Sequence, residues 1–203
     1  MLIAGLLMAS SVQGGAQIYQ PLSASVRAVM HRAVSDKAAP KPVFDSKQEE
    51  QLWLVDMSQR LEKRIPDKNY RLDFLKTVHY EAKRAGLDSL MVLGLIEVEA
   101  GFRKYAVSSV GARGYMQVMP FWVDQIGRRD DNLFHLRTNL RYGCTILRHY
   151  IDMEKGDLYR ALGRYNGSLG KPGYPNLVRA AWRKYWNASP AIYSRADGPL
   201  SIR

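Results

Sequence analysis

Apolar positions along this chain recur at helical spacing and almost never alternate. That periodicity predicts helices rather than strands. Ser46 followed by Glu49 has the form of a capping box, and Leu52, Val55 and Leu61 then recur near helical spacing until Pro66. A second helix is predicted over 70–85, with Phe74, Val78 and Ala82 on one face and Gly86 suited to its C-terminal cap. Asp88 stands where it can cap a third helix over 89–100. The same spacing returns over 137–150, 158–165 and 177–186, while 101–119 and 166–175 read as loops. The fold class is mainly α.

The flanks read differently. Residues 2–12 are uncharged and mostly apolar, and small residues follow at 14–16. A run that short does not span a bilayer. It reads as a secretory signal peptide over 1–16, cut after Ala16, although no Lys or Arg precedes Arg27. Residues 17–45 mix Ser, Ala, Pro and scattered charge and read as a linker or poorly ordered lead-in. A helical extension over 46–67 then precedes the main domain at 68–186. Residues 187–203 contain two Pro and read as a loose tail.

Composition narrows the possible functions. Of 203 residues, 46% are apolar and 24% charged, a globular balance. One cysteine excludes an internal disulfide and a thiolate metal cluster. That residue, Cys144, lies in a predicted helix with no evident His partner and reads as a buried thiol. His31, His79, His135 and His149 are scattered without ligand spacing, so no metal is expected, and no cofactor is implied. The net charge is +11. Residues 1–100 hold 13 basic and 12 acidic side chains, net +1; residues 101–203 hold 17 and 7, net +10. A polyanion is the expected partner: nucleic acid, an anionic membrane surface or an acidic polymer. No nucleic-acid-binding motif accompanies the charge, which ranks that partner last.

The third helix carries the candidate chemistry. Its sequence, LMVLGLIEVEAGF, is apolar nearly all round yet contains Glu97 and Glu99. A carboxylate in such a setting is costly unless paired, hydrogen-bonded or protonated. The two are directed about 200° apart around the helix, so one can face a cleft while the other pairs with a cation.

Three blocks succeed it in order: GFRKYAVSSVGARGYMQVMP at 101–120, ALGRYNGSLG at 161–170 and YPNLV at 174–178. With them, residues 68–186 resemble the SLT-type lytic transglycosylases, which have a goose-type lysozyme-like fold. The family motif is an acid, a small residue and Gly-Phe, then Ser, Gly-Ala, Gly-Leu-Met-Gln and Met-Pro, with a later Ala-x-Tyr-Asn. The acid lies twelve residues before the Gly matched by Gly111, which selects Glu99 over Glu97. The resemblance marks Ser108, Met116, Gln117, Tyr165 and Asn166 as substrate-cleft residues, with Tyr165 orienting Glu99 or the sugar. It matches Asn139 and Gly143 to a structural pattern. Three positions depart from the motif: Ala100 replaces a Ser, Tyr115 a Leu, and Gly167-Ser168 the usual Ala-Gly.

The resemblance implies a lysozyme-like helical domain with a substrate cleft. It also implies cleavage between N-acetylmuramic acid and N-acetylglucosamine in peptidoglycan without water. A single Glu would serve as acid and then as base, leaving a 1,6-anhydro end. A periplasmic, monomeric enzyme is expected, acting on glycan strands, with no stable membrane insertion once the signal is cut. Cell-wall or secretion-machinery proteins are further partners. Two alternatives stay open: a hydrolytic muramidase, and a non-catalytic cell-wall-binding module of a secretion or pilus system.

Overall fold

The computed structural model describes residues 16–35 and 44–186; the leader expected over 1–16, Ala16 apart, and the tail over 187–203 lie outside the described residues. The described chain is mainly α, with eight helices among those residues: α1 (Ala24–Ser35), α2 (Lys47–Leu61), α3 (Lys68–Arg84), α4 (Ser89–Ala100), α5 (Phe121–Ile126), α6 (Leu136–Met153), α7 (Leu158–Tyr165) and α8 (Gly173–Trp186).

Local signals set most boundaries. Ser46 accepts the Glu49 N–H at 3.1 Å, and Glu49 reaches back to the Asp45 N–H at 3.0 Å. Asp67, Asp88 and Asp157 cap α3, α4 and α7 by accepting the N–H three residues on. Each contact satisfies a backbone donor that the first helical turn leaves free.

Helix α4 is the central element. Ser89 to Ile96 are all buried, with α3 and α8 packed on it. Gly94 permits the α8 contact: a Cβ there would lie 2.7 Å from the Trp182 backbone nitrogen. Helix α6 packs on α3, α7 and α1. A buried ion pair locks α6 to α3, in which Arg141 donates to Glu81 Oε1 through Nε at 3.1 Å and Nη2 at 2.9 Å.

Three expectations change. The lead-in over 17–45 contains α1, whose Met30 and Val34 are buried; its apolar stripe is short, and its burial comes from α5 and α6 far along the chain. His31 Nδ1 lies 2.9 Å from the Ile126 carbonyl in that contact. Helix α5 occupies sequence that showed no helical pattern, and only Trp122 and Ile126 of its one and a half turns are buried. Helix α8 starts at Gly173 rather than 177, because Pro175 falls in its first turn, where a missing N–H costs nothing.

Candidate active site

The last turn of α4 ends at Gly101, whose φ of 54° lies in the left-handed region, and Phe102 comes next at 64°. This turn throws the chain sideways into the 101–119 loop and leaves Glu99 at the rim of a cleft of about 960 Å³. Glu99 is partly accessible from that cleft and otherwise enclosed by protein. Burial pushes its carboxyl up to about 8, and a hydrogen bond from Tyr174 pulls it partly back. Desolvation penalises the charged form, so the carboxyl is mostly protonated at neutral pH.

Tyr174, in the first turn of α8, donates its hydroxyl to Glu99 Oε1. Its own hydroxyl is buried, and the neighbouring carboxyl pushes its pKa further up, so it remains a donor. The YPNLV block is visible in the sequence, but the motif assigns the tyrosine contact to Tyr165. Pro175 and Leu177 hide Tyr174 in an apparent loop.

Tyr165 is fully buried and donates to the Met116 carbonyl at 2.7 Å. It is therefore not hydrogen-bonded to Glu99 and does not line the cleft. Met116 is also fully buried, with its side chain seated against Gly143, where a Cβ would lie 2.4 Å from Sδ. Both expected cleft residues belong to the packing beneath the cleft. Asn139 holds the Met116 turn in place: its Oδ1 accepts the Met116 N–H at 2.8 Å, and its Nδ2 donates to the Arg113 and Leu133 carbonyls, each at 2.8 Å.

Ser108, Gln117 and Asn166 do line the cleft with Glu99. Ser108 Oγ accepts the Ala112 N–H at 3.0 Å and so shapes its own turn. Gln117 Nε2 donates to the Ala106 and Gly114 carbonyls at 3.2 and 3.0 Å. Both amide hydrogens are thus engaged, and only Oε1 remains as an acceptor. Arg103 and Lys171 add positive charge to the lining.

Glu97 also borders this cavity, which its direction around the helix did not suggest. It is held by Lys184, whose Nζ donates to Oε1 at 2.7 Å, and by Arg64 at 4.0 Å. Glu97 and Glu99 are the only carboxylates among the described lining residues.

Residues 76–176 match the family model described as Transglycosylase SLT domain. This span is an SLT-type transglycosylase domain. Among similar proteins, a "Membrane-bound lytic murein transglycosylase C" of Glaesserella parasuis is 47% identical over 47 residues, 23% of this chain and 13% of that protein. A "Transglycosylase" of Enterobacteria phage PRD1 is 28% identical over 103 residues, 51% of this chain and 38% of the phage protein. The chain thus spans well under half the length of these relatives. Among solved structures, an inactive variant of lytic transglycosylase Slt from Pseudomonas aeruginosa covers 70% of this chain and 29% of its own, at 19% identity and a TM-score of 0.49. Among the described residues, no helix is long and apolar enough to cross a membrane.

Proposed function

We propose that this chain is a periplasmic lytic transglycosylase that cleaves the bond between N-acetylmuramic acid and N-acetylglucosamine in peptidoglycan. The observation that carries the reading is Glu99, a carboxyl kept protonated near neutral pH at the rim of a cleft that Arg103 and Lys171 also line, inside an SLT domain. A general acid works best when its pKa lies near the working pH.

In the first step Glu99 gives its proton to the glycosidic oxygen, and the bond from that oxygen to C1 breaks. Tyr174 holds Oε1, so the proton is presented from the other oxygen. In the second step the Glu99 carboxylate takes the proton of the muramic acid 6-hydroxyl, and that oxygen closes on C1. No water is consumed. The attacking hydroxyl belongs to the same sugar, which gives it a high effective concentration. Ser108, Gln117 and Asn166 line the path of the sugar, with the Gln117 Oε1 available to accept from an N-acetyl or hydroxyl group.

Most glycosidases place a second carboxylate at the site. The one available is Glu97, and its ion pair with Lys184 ties it to α8. That position favours the ring-closing route over activation of water. Digestion of purified sacculi tests both routes. The released muropeptides should carry anhydro ends that resist borohydride reduction. Reducing ends carrying oxygen from labelled water would identify a hydrolase. Glu99→Gln should lose activity by orders of magnitude while folding persists, and Glu97→Gln should keep most of it.

A further inference from the structure

Two backbone segments that line the cleft come from distant parts of the chain: the turn carrying Gln117 and the end of α7 carrying Asn166. One side chain ties them together. Gln17 is 4% exposed, and its Nε2 donates to the Gln117 carbonyl and to the Tyr165 carbonyl, each at 3.1 Å. Its Oε1 accepts the Met119 N–H at 2.9 Å. The amide thus spends both hydrogens and an acceptor position on three backbone groups, two in the 117–119 segment and one at the end of α7.

The flanking residues hold Gln17 in place. Gly167, with φ of 71°, leaves room for the Ala16 carbonyl, which would lie 2.2 Å from a Cβ there. Tyr19 meets the Phe121 ring edge-on at 5.5 Å, and Gln125 donates to the Gln20 carbonyl at 3.3 Å. Gln117 needs such support. Its φ of 45° is a left-handed conformation that a residue with a side chain adopts only when its surroundings hold it there.

We propose that Gln17 is a positioning residue for the cleft. Through the segment 17–20 it fixes the spacing of the Gln117 turn against the Asn166 end of α7, and so the shape in which a glycan meets Glu99. The kinetic part of this inference rests on the lytic reading above; the geometric part does not. Gln fits the position because its side chain offers two donors and an acceptor at one reach. Glu would turn lone pairs toward two carbonyls, and Ala would leave both without a donor.

The test uses the full chain with Gln17→Ala and Gln17→Glu. Circular dichroism checks the helices. Heteronuclear NMR follows the side-chain amides of Gln117 and Asn166, with that of Asn139 as the internal reference. Turnover on sacculi supplies kcat and KM. Helices should persist, the Gln117 and Asn166 amides should shift, and the Asn139 amide should stay. We expect kcat to fall about tenfold with KM changed less than about twofold, since displaced cleft groups misplace a bound sugar more than they weaken its binding. Unmoved Gln117 and Asn166 amides together with parental kcat overturn the proposal. Loss of helical signal in both variants would assign Gln17 to folding alone and overturn it equally. If the parent chain turns over no sacculi, the lytic reading fails, and the amide shifts still decide the positioning role.

Discussion

A glutamate in water ionises above about pH 4.3, and Glu99 departs from that because its helix is apolar on every side. Little solvent reaches the carboxyl, and the chain offers it a phenol rather than a cation. Tyr174 is the counterweight to burial. Its hydrogen bond favours the charged form, so removing the hydroxyl should raise the Glu99 pKa above the present value of about 8. For an enzyme that needs Glu99 protonated, kcat/KM falls as pH rises through that pKa. In Tyr174→Phe the alkaline limb should therefore move to higher pH, and kcat should drop because Oε1 is no longer held. A pH–rate profile of the two proteins checks this. An unmoved limb would mean that the Tyr174 contact does not control the acid. Glu97, two residues earlier, has the opposite solution: it is met by Lys184 and Arg64. Two carboxylates in one helical turn are thus separated by their partners.

At the level of elements, the crossing of α4 and α8 joins the acid to its phenol. Glycine inside a helix ordinarily costs about 0.5–1 kcal/mol relative to alanine, so Gly94→Ala would stabilise an unpacked helix. Here the added Cβ would come 2.7 Å from the Trp182 nitrogen and 3.0 Å from its Cα, both backbone atoms. Helix α8 must move, at a cost of about 1–3 kcal/mol for an overpacked contact. Gly94→Ala should lower the melting temperature and, by withdrawing Tyr174 from Glu99, reduce turnover. A raised melting temperature would show that the helices do not meet so closely. The caps of α2 and α4 were legible because each depends on residues three positions apart. Helix α1 and the start of α8 were not, because their burial is supplied by segments distant in sequence.

For the whole molecule, the excess positive charge of the second half is the property most open to solution conditions. Arg103 and Lys171 bring part of it to the cleft. An anionic glycan carrying peptide carboxylates should be attracted, and exposed charges are screened beyond about 8 Å at physiological ionic strength. Binding of Glu99→Gln to sacculi, measured by co-sedimentation, should weaken steadily as salt rises. Binding that persists unchanged to high salt would assign affinity to hydrogen bonding and apolar contact instead.

Sequence alone determined the features that local spacing controls: the helical class, two capped helix starts and the buried thiol of Cys144, and it pointed to Glu99 as the carboxyl of interest. These rest on near neighbours along the chain or on a motif with fixed intervals. Tertiary structure decided which side chains face the cleft. Tyr165 and Met116 stand in the same motif as Gln117 and Asn166, but Met116 turns inward onto Asn139 and Gly143 of α6, and Tyr165 donates to its carbonyl. Tyr174 takes the place beside Glu99 because α8 can approach α4 over Gly94, and Gln17 joins two cleft segments across separations of 100 and 148 residues. Such contacts depend on how close two backbones can come, and that distance is set by packing between elements rather than by the order of residues in either one.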